Sequence, residues 1–181
     1  MNSTPDALRP THSERQTIGA TLRRGREAFD DARELVGEMD FTDFASLLIW
    51  QSFERLAERD VPLSPETILA DLHRVGQLAD LGESPARFLA DLQSDAGSGC
   101  ELDYHARIVA DAAYRRCLAA IGAKITSEAL APSGSTEELT ANAYADLFAL
   151  ERNRSAGSGT KTFAEVIDEC VDELNRRTQP G

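Results

Sequence analysis

Along most of this chain the apolar residues recur at steps of three and four, the spacing that gathers them on one face of a helix. Residues 1–12 carry two prolines and few apolar groups and predict a mobile tail. From Ser13 the text SERQ predicts a capping box, with Ser13 as N-cap and Gln16 at the third helical position, and a helix to about Arg24. A second helix, from Arg26 to Gly37, turns Phe29, Ala32, Leu35 and Val36 inward, and Gly37 is expected to end it in the left-handed conformation. The segment MDFTDFASLLIWQSFERLAERD is the most apolar. Phe44, Leu47, Leu48, Ile49, Trp50, Phe53 and Leu56 make it the central helix of a core, with Thr42 or Asp40 as its cap.

Serine followed by proline marks two further starts, Ser64-Pro65 and Ser84-Pro85, because serine caps and proline fills the first helical position without wasting a donor. Helices over 65–75 and 85–94 follow, the first closed by Gly76. A long helix over 102–130 aligns Tyr114, Cys117, Leu118, Ile121 and Ile125. PSGS turns the chain, Ser135 and Glu138 form another capping box, and a helix to about Asn153 aligns Leu139, Ala143, Leu147 and Leu150. After SAGSGTK, read as a flexible linker, an amphipathic helix over 162–178 aligns Phe163, Val166, Ile167, Cys170 and Leu174, with five acidic residues off the stripe. No stretch alternates with the period of a strand. The expected fold is all-α: a helical body over 13–97, a hairpin over 102–153, a linker over 154–161 and a tethered terminal helix. A hairpin of two helices buries little by itself and is rich in alanine, so its outer apolar positions are expected to meet another copy. Tyr114, Leu118, Ile121, Ile125, Leu139, Ala143, Leu147 and Leu150 are the residues assigned to that self-association.

Charge narrows the function classes. Nineteen basic against 31 acidic residues give a formal charge of −12, which argues against direct nucleic-acid binding, since phosphate contact needs clustered cations. Arg23, Arg24 and Arg26, and the pair Arg115-Arg116, sit beside acids and read as solvated faces. No apolar run approaches the roughly 18 residues of a membrane span, and the N-terminus lacks the pattern of a secretory signal, so a cytoplasmic location is expected, with no membrane partner.

An enzyme needs a site, and none is legible. His12, His73 and His105 lie in no ligand spacing, and His105 reads as a packing residue. Three distant cysteines, Cys100, Cys117 and Cys170, match neither a disulfide framework nor a zinc knuckle. Cys117, on an apolar stripe, is expected to be buried and inert. Asp30-Asp31 and Glu137-Glu138 belong to polar faces and helix starts. The run Gly157 to Thr162 imitates a phosphate-binding loop, but a threonine separates its last glycine from Lys161 and no apolar strand precedes it. The expectation is no catalytic residue, no cofactor and no metal.

The order of these parts resembles the N-terminal domain of DnaB-type replicative helicases. The motifs that carry the resemblance are Arg15-Gln16-Thr17-Ile18-Gly19, Asp40-Phe41, Asp60-Val61-Pro62-Leu63-Ser64, Gly76-Gln77-Leu78, Phe88-Leu89-Ala90-Asp91-Leu92 and the run YHARIVADAAYRRCLAAIG. The resemblance covers about residues 13–178. It implies a non-catalytic role in DNA replication. Hairpins pair, pairs assemble as a homo-oligomer, a dimer or a hexameric ring, that receives primase or a helicase loader, and the terminal helix docks on a neighbouring ATPase domain. Phe163, Val166, Ile167, Cys170 and Leu174 would be that docking face, and ATP binding and unwinding would lie outside these residues. A second reading is a stand-alone regulatory adaptor that binds a helicase ATPase domain through the same helix.

Overall fold

A computed structural model describes residues 8–96, 99–131 and 134–158, with the side chains of 153–158 left aside; the expected terminal helix, with Phe163, Val166, Ile167, Cys170 and Leu174, lies outside these residues. The described residues form seven helices and no strand: α1 (Thr11–Arg24), α2 (Arg26–Arg33), α3 (Phe44–Glu58), α4 (Pro65–Arg74), α5 (Pro85–Asp95), α6 (Leu102–Leu130) and α7 (Thr136–Ser158). Short 3-10 turns occupy Glu38–Asp40 and Leu78–Leu81. The all-α class is as the periodicity predicts.

The chain divides into two compact units at Arg116 and Cys117, inside α6 and not in the loop before it. The reason is local: Leu102, Ala106, Val109, Ala112 and Ala113, in the first half of α6, are buried with the body. The core of that body centres on Trp50, which is fully buried with Phe29 and Phe53 and packs at centroid distances of 5.0 Å from Phe41 and 5.1 Å from Phe29. Its indole donates to Glu54 Oε1 at 2.9 Å, so this large ring is buried without orphaning its N–H. Helices α1 and α5 approach closely at Gly19, where a β-carbon would come within 2.2 Å of the Leu92 carbonyl oxygen. Only glycine fits at that crossing.

Several helix ends differ from the sequence reading. Ser13 is not the N-cap of α1, which begins after Pro10 without a side-chain cap. Ser13 is buried in the helix instead. Helix α2 ends at Arg33; Leu35 and Val36 still turn inward, both amides bonding the Ala32 carbonyl, but Gly37 is extended (φ −121°, ψ 176°) and not left-handed. The cap of α3 is Asp43, which accepts from the Ser46 amide at 3.2 Å, and neither Thr42 nor Asp40 takes that role. Asp40 accepts from the Gly37 amide. Phe44, counted among the core residues, is 58% exposed at the first turn of α3. Ser64 caps α4 as expected, by accepting from the Thr67 amide, whereas Ser84 makes no such bond on α5. Helix α7 runs five residues beyond Asn153, through the first part of the expected linker.

Candidate interaction surface

The second unit contains the latter half of α6 and the whole of α7. Lys124 Nζ donates to Asp146 Oδ2 at 2.6 Å and ties the two helices together, and the Asp146 carboxylate pushes the lysine pKa up. Ile121, Ile125, Leu139, Ala143 and Leu150 are half-buried along this pairing. At the turn, Ser135 Oγ accepts from the Glu138 amide at 3.1 Å, one half of the expected capping box.

The eight residues assigned to self-association therefore divide. Ile121, Ile125, Leu139, Ala143 and Leu150, like Tyr114 in the first unit, are half-buried, while Leu118 (44% exposed) and Leu147 (36%) face outward. Tyr144 (71%) and Phe148 (55%), which the stripe through Leu139 and Leu150 passed over, add to the outward set. Their signal is in the text AYADLFAL, where Tyr144, Leu147 and Phe148 stand at i, i+3 and i+4 and define a second apolar face on α7. A helix with two apolar faces can bury one inside its hairpin and still offer the other to a partner. Cys117 is exposed, against the expectation of burial. The last buried residue of α6 is Ala113, and among the described residues nothing covers the turn that carries Cys117. Cys100 is exposed as well.

Polar groups in the first unit lock its helices together. Glu14, fully buried, accepts from the Thr42 amide and hydroxyl and from the Asp43 amide at 2.6–3.0 Å, fixing from a different helix the segment that leads into α3. His105 is buried and meets Ser13 Oγ at 3.2 Å through Nδ1, the packing role expected of it. Arg116 departs from the solvated-face reading: it donates to the carbonyls of Leu8 and Asp40. Arg26 does likewise to the Ala57 carbonyl at 2.8 Å. Asp71, 1% exposed, accepts from Ser52, Arg55, Arg59 and Arg74. Burial alone would raise its pKa, but the bonds from Arg74, Arg55 and Ser52 and the Arg55 charge outweigh burial and bring it down to about 2. Among the described residues no group of His, Cys, Asp and Glu is placed to hold a metal, and no helix is long and apolar enough to cross a membrane.

Known proteins with similar sequence or fold agree with this architecture. The model of the DnaB-like helicase N terminal domain matches residues 7–111. The replicative DNA helicase DnaB of Rhodothermus marinus is 26% identical over 161 residues, which are 89% of this chain and 17% of the relative. That of Buchnera aphidicola subsp. Baizongia pistaciae is 27% identical over 163 residues, 89% of this chain and 35% of the relative. The chain thus spans well under half the length of these curated relatives. The crystal structure of the N-terminal domain of DnaB helicase from Mycobacterium tuberculosis superposes with a TM-score of 0.70 at 26% identity, over 77% of this chain and 96% of that one. The likeness falls on the N-terminal domain of those helicases and not on their ATPase domain. With the family model covering more than half of its residues, the chain belongs to the DnaB-like helicase N-terminal domain family.

Proposed function

We propose that this chain is a non-catalytic assembly and docking module of the DNA replication machinery, which self-associates through the outward face of its hairpin. Membership of the family supports the role in replication. The observation that carries the self-association is the cluster of solvent-facing apolar side chains on α6 and α7, Leu118, Tyr144, Leu147 and Phe148, on a chain whose charge of −12 otherwise favours dispersal. Burial of the part of each that remains exposed contributes roughly 1 kcal/mol before the costs of association. In the hairpin unit Ile121, Ile125, Leu139, Ala143 and Leu150 are half-buried and leave less surface to a partner.

In the same reading the terminal stripe of Phe163, Val166, Ile167, Cys170 and Leu174 docks on a helicase ATPase domain, and primase or a loader meets the assembled hairpins. Light scattering over a concentration series tests the assembly step. The chain is expected as a dimer or a larger closed assembly, and the double variant Tyr144→Ser, Phe148→Ser as a monomer at the same concentration. A wild-type monomer at high micromolar concentration overturns the reading. Docking is tested by binding of an isolated DnaB-type ATPase domain, which Phe163→Asp is expected to abolish.

A further inference from the structure

One side of α6 carries a groove of about 450 Å³ beside the N-terminal segment of the body. Leu8, Tyr104, Ile108 and Ala112 form its apolar floor, and Arg107, Asp111 and Arg115 its rim. Arg116 fixes the Leu8 wall by donating to the Leu8 carbonyl at 2.9 Å. Tyr104, 64% exposed, offers the largest ring of the groove to a partner. Arg107 and Arg115 pair with Asp103 and Asp111 within the helix, and all four side chains are more than 60% exposed, so these pairs can change partners at little cost. From Asp103 to Arg116 the helix carries three arginines against two aspartates, a basic stretch in a chain of charge −12.

Length and charge together select an occupant. From Tyr104 to Arg115 the groove follows α6 for eleven residue steps, about 16 Å of helix. The apolar stripe from Phe163 to Leu174, in the segment 162–178 outside the described residues, spans the same eleven steps. Between those two positions the segment bears five acids and no base, so its flanks complement the arginines while its stripe matches the apolar floor. We propose that the α6 groove of one copy receives the segment 162–178 of a second copy as a helix, with Phe163, Ile167 and Leu174 against Tyr104 and Ile108 and the acids toward Arg107 and Arg115. Copies paired through their hairpins present the segment at high effective concentration, so a contact weak by itself is populated in the assembly, a step that rests on the self-association proposed above. The groove then competes with an ATPase domain for one stripe and keeps that stripe covered until the domain takes it.

The experiment measures, by fluorescence anisotropy, the binding of a labelled peptide of residues 162–178 to the full chain and its variants. Phe163→Asp, Ile167→Asp, whose own segment no longer competes, is expected to bind the peptide saturably. Adding Tyr104→Ser and Arg115→Glu, both at exposed positions, is expected to weaken that binding about tenfold or more, while Tyr104→Phe and Arg115→Lys in the same background retain it. The wild type, its groove filled, is expected to bind about fivefold or more weakly than Phe163→Asp, Ile167→Asp, and Tyr144→Ser, Phe148→Ser, its copies separated, to bind as tightly as that variant. Absence of saturable binding, or binding unchanged by Tyr104→Ser and Arg115→Glu, overturns the site. Equal binding by the wild type and Phe163→Asp, Ile167→Asp overturns the exchange between copies, as does a Tyr144→Ser, Phe148→Ser monomer whose groove stays filled. Light scattering on the same samples reads the self-association separately: a wild-type monomer overturns that reading, and the peptide alone then decides the groove.

Discussion

The body and the hairpin are built from the same helical periodicity, yet they treat apolar side chains in opposite ways. In the body, Ile18, Phe29, Leu48, Ile49, Trp50, Phe53, Ile68, Leu72 and Leu89 are all at most 2% exposed, because several helices surround each position. In the hairpin, among the described residues, α6 and α7 are tied to each other by Lys124 and Asp146. Ile121 and Leu139 reach half-burial, and Tyr144 and Phe148 stay largely in solvent. Two helices offer one contact line between them, so a second apolar stripe on either lies outside that line. Periodicity alone reports that a stripe exists. The number of neighbouring helices decides whether it becomes core or interface.

That contrast can be broken most severely at its centre. Trp50→Ala removes a fully buried ring that packs against Phe29, Phe41 and Phe53, and is expected to cost about 3–5 kcal/mol in chemical denaturation. Glu14→Ala strips the Thr42 and Asp43 amides of their acceptor; a loss of about 2–3 kcal/mol is expected, and a loss under half of that would show that water replaces the carboxylate without penalty.

Asp71 sharpens the comparison through pH, because the body has a buried carboxylate of this kind and the described hairpin has none. Its folded pKa of about 2 lies below the ordinary value of 3.8, so the stability it contributes is complete above about pH 4 and is lost as pH falls toward 2. The shift corresponds to about 2 kcal/mol. The denaturation midpoint of the wild type is expected to drop across that window, while Asp71→Asn, less stable at neutral pH, should show a flatter profile there.

The smallest effect on stability is expected in the hairpin. Leu147→Asp, at a position already 36% exposed, should change the melting of the body by no more than about 0.5 kcal/mol, while lowering the mass measured by light scattering. A variant that unfolds the body as well would place Leu147 in the fold and remove it from the interface.

Much of the fold was legible before any coordinates. The Ser64-Pro65 start, the extent of α6 over 102–130, and the central place of the segment around Trp50 depend on residues within a few positions of one another. The capping assignments failed where a remote residue intervened. Thr42 is engaged by Glu14, 28 positions earlier, which leaves Asp43 to reach the Ser46 amide. Ser13 faces His105 across 92 positions, a pairing that no local window contains. Of the face proposed for self-association, Leu118 and Leu147 were legible as apolar stripe residues, while Tyr144 and Phe148 were missed because one stripe was followed where α7 carries two.

The amino-acid order alone was enough for the helical class and the kinship with helicase N-terminal domains, since these follow from short-range periodicity and from motifs in a set order. Which apolar stripes are covered, where Glu14 and Asp71 find their donors, and that Cys117 lies in solvent were decided by the packing of distant segments. Helix formation is governed by neighbours three or four residues away, whereas burial and the pairing of charge depend on which surfaces meet in space.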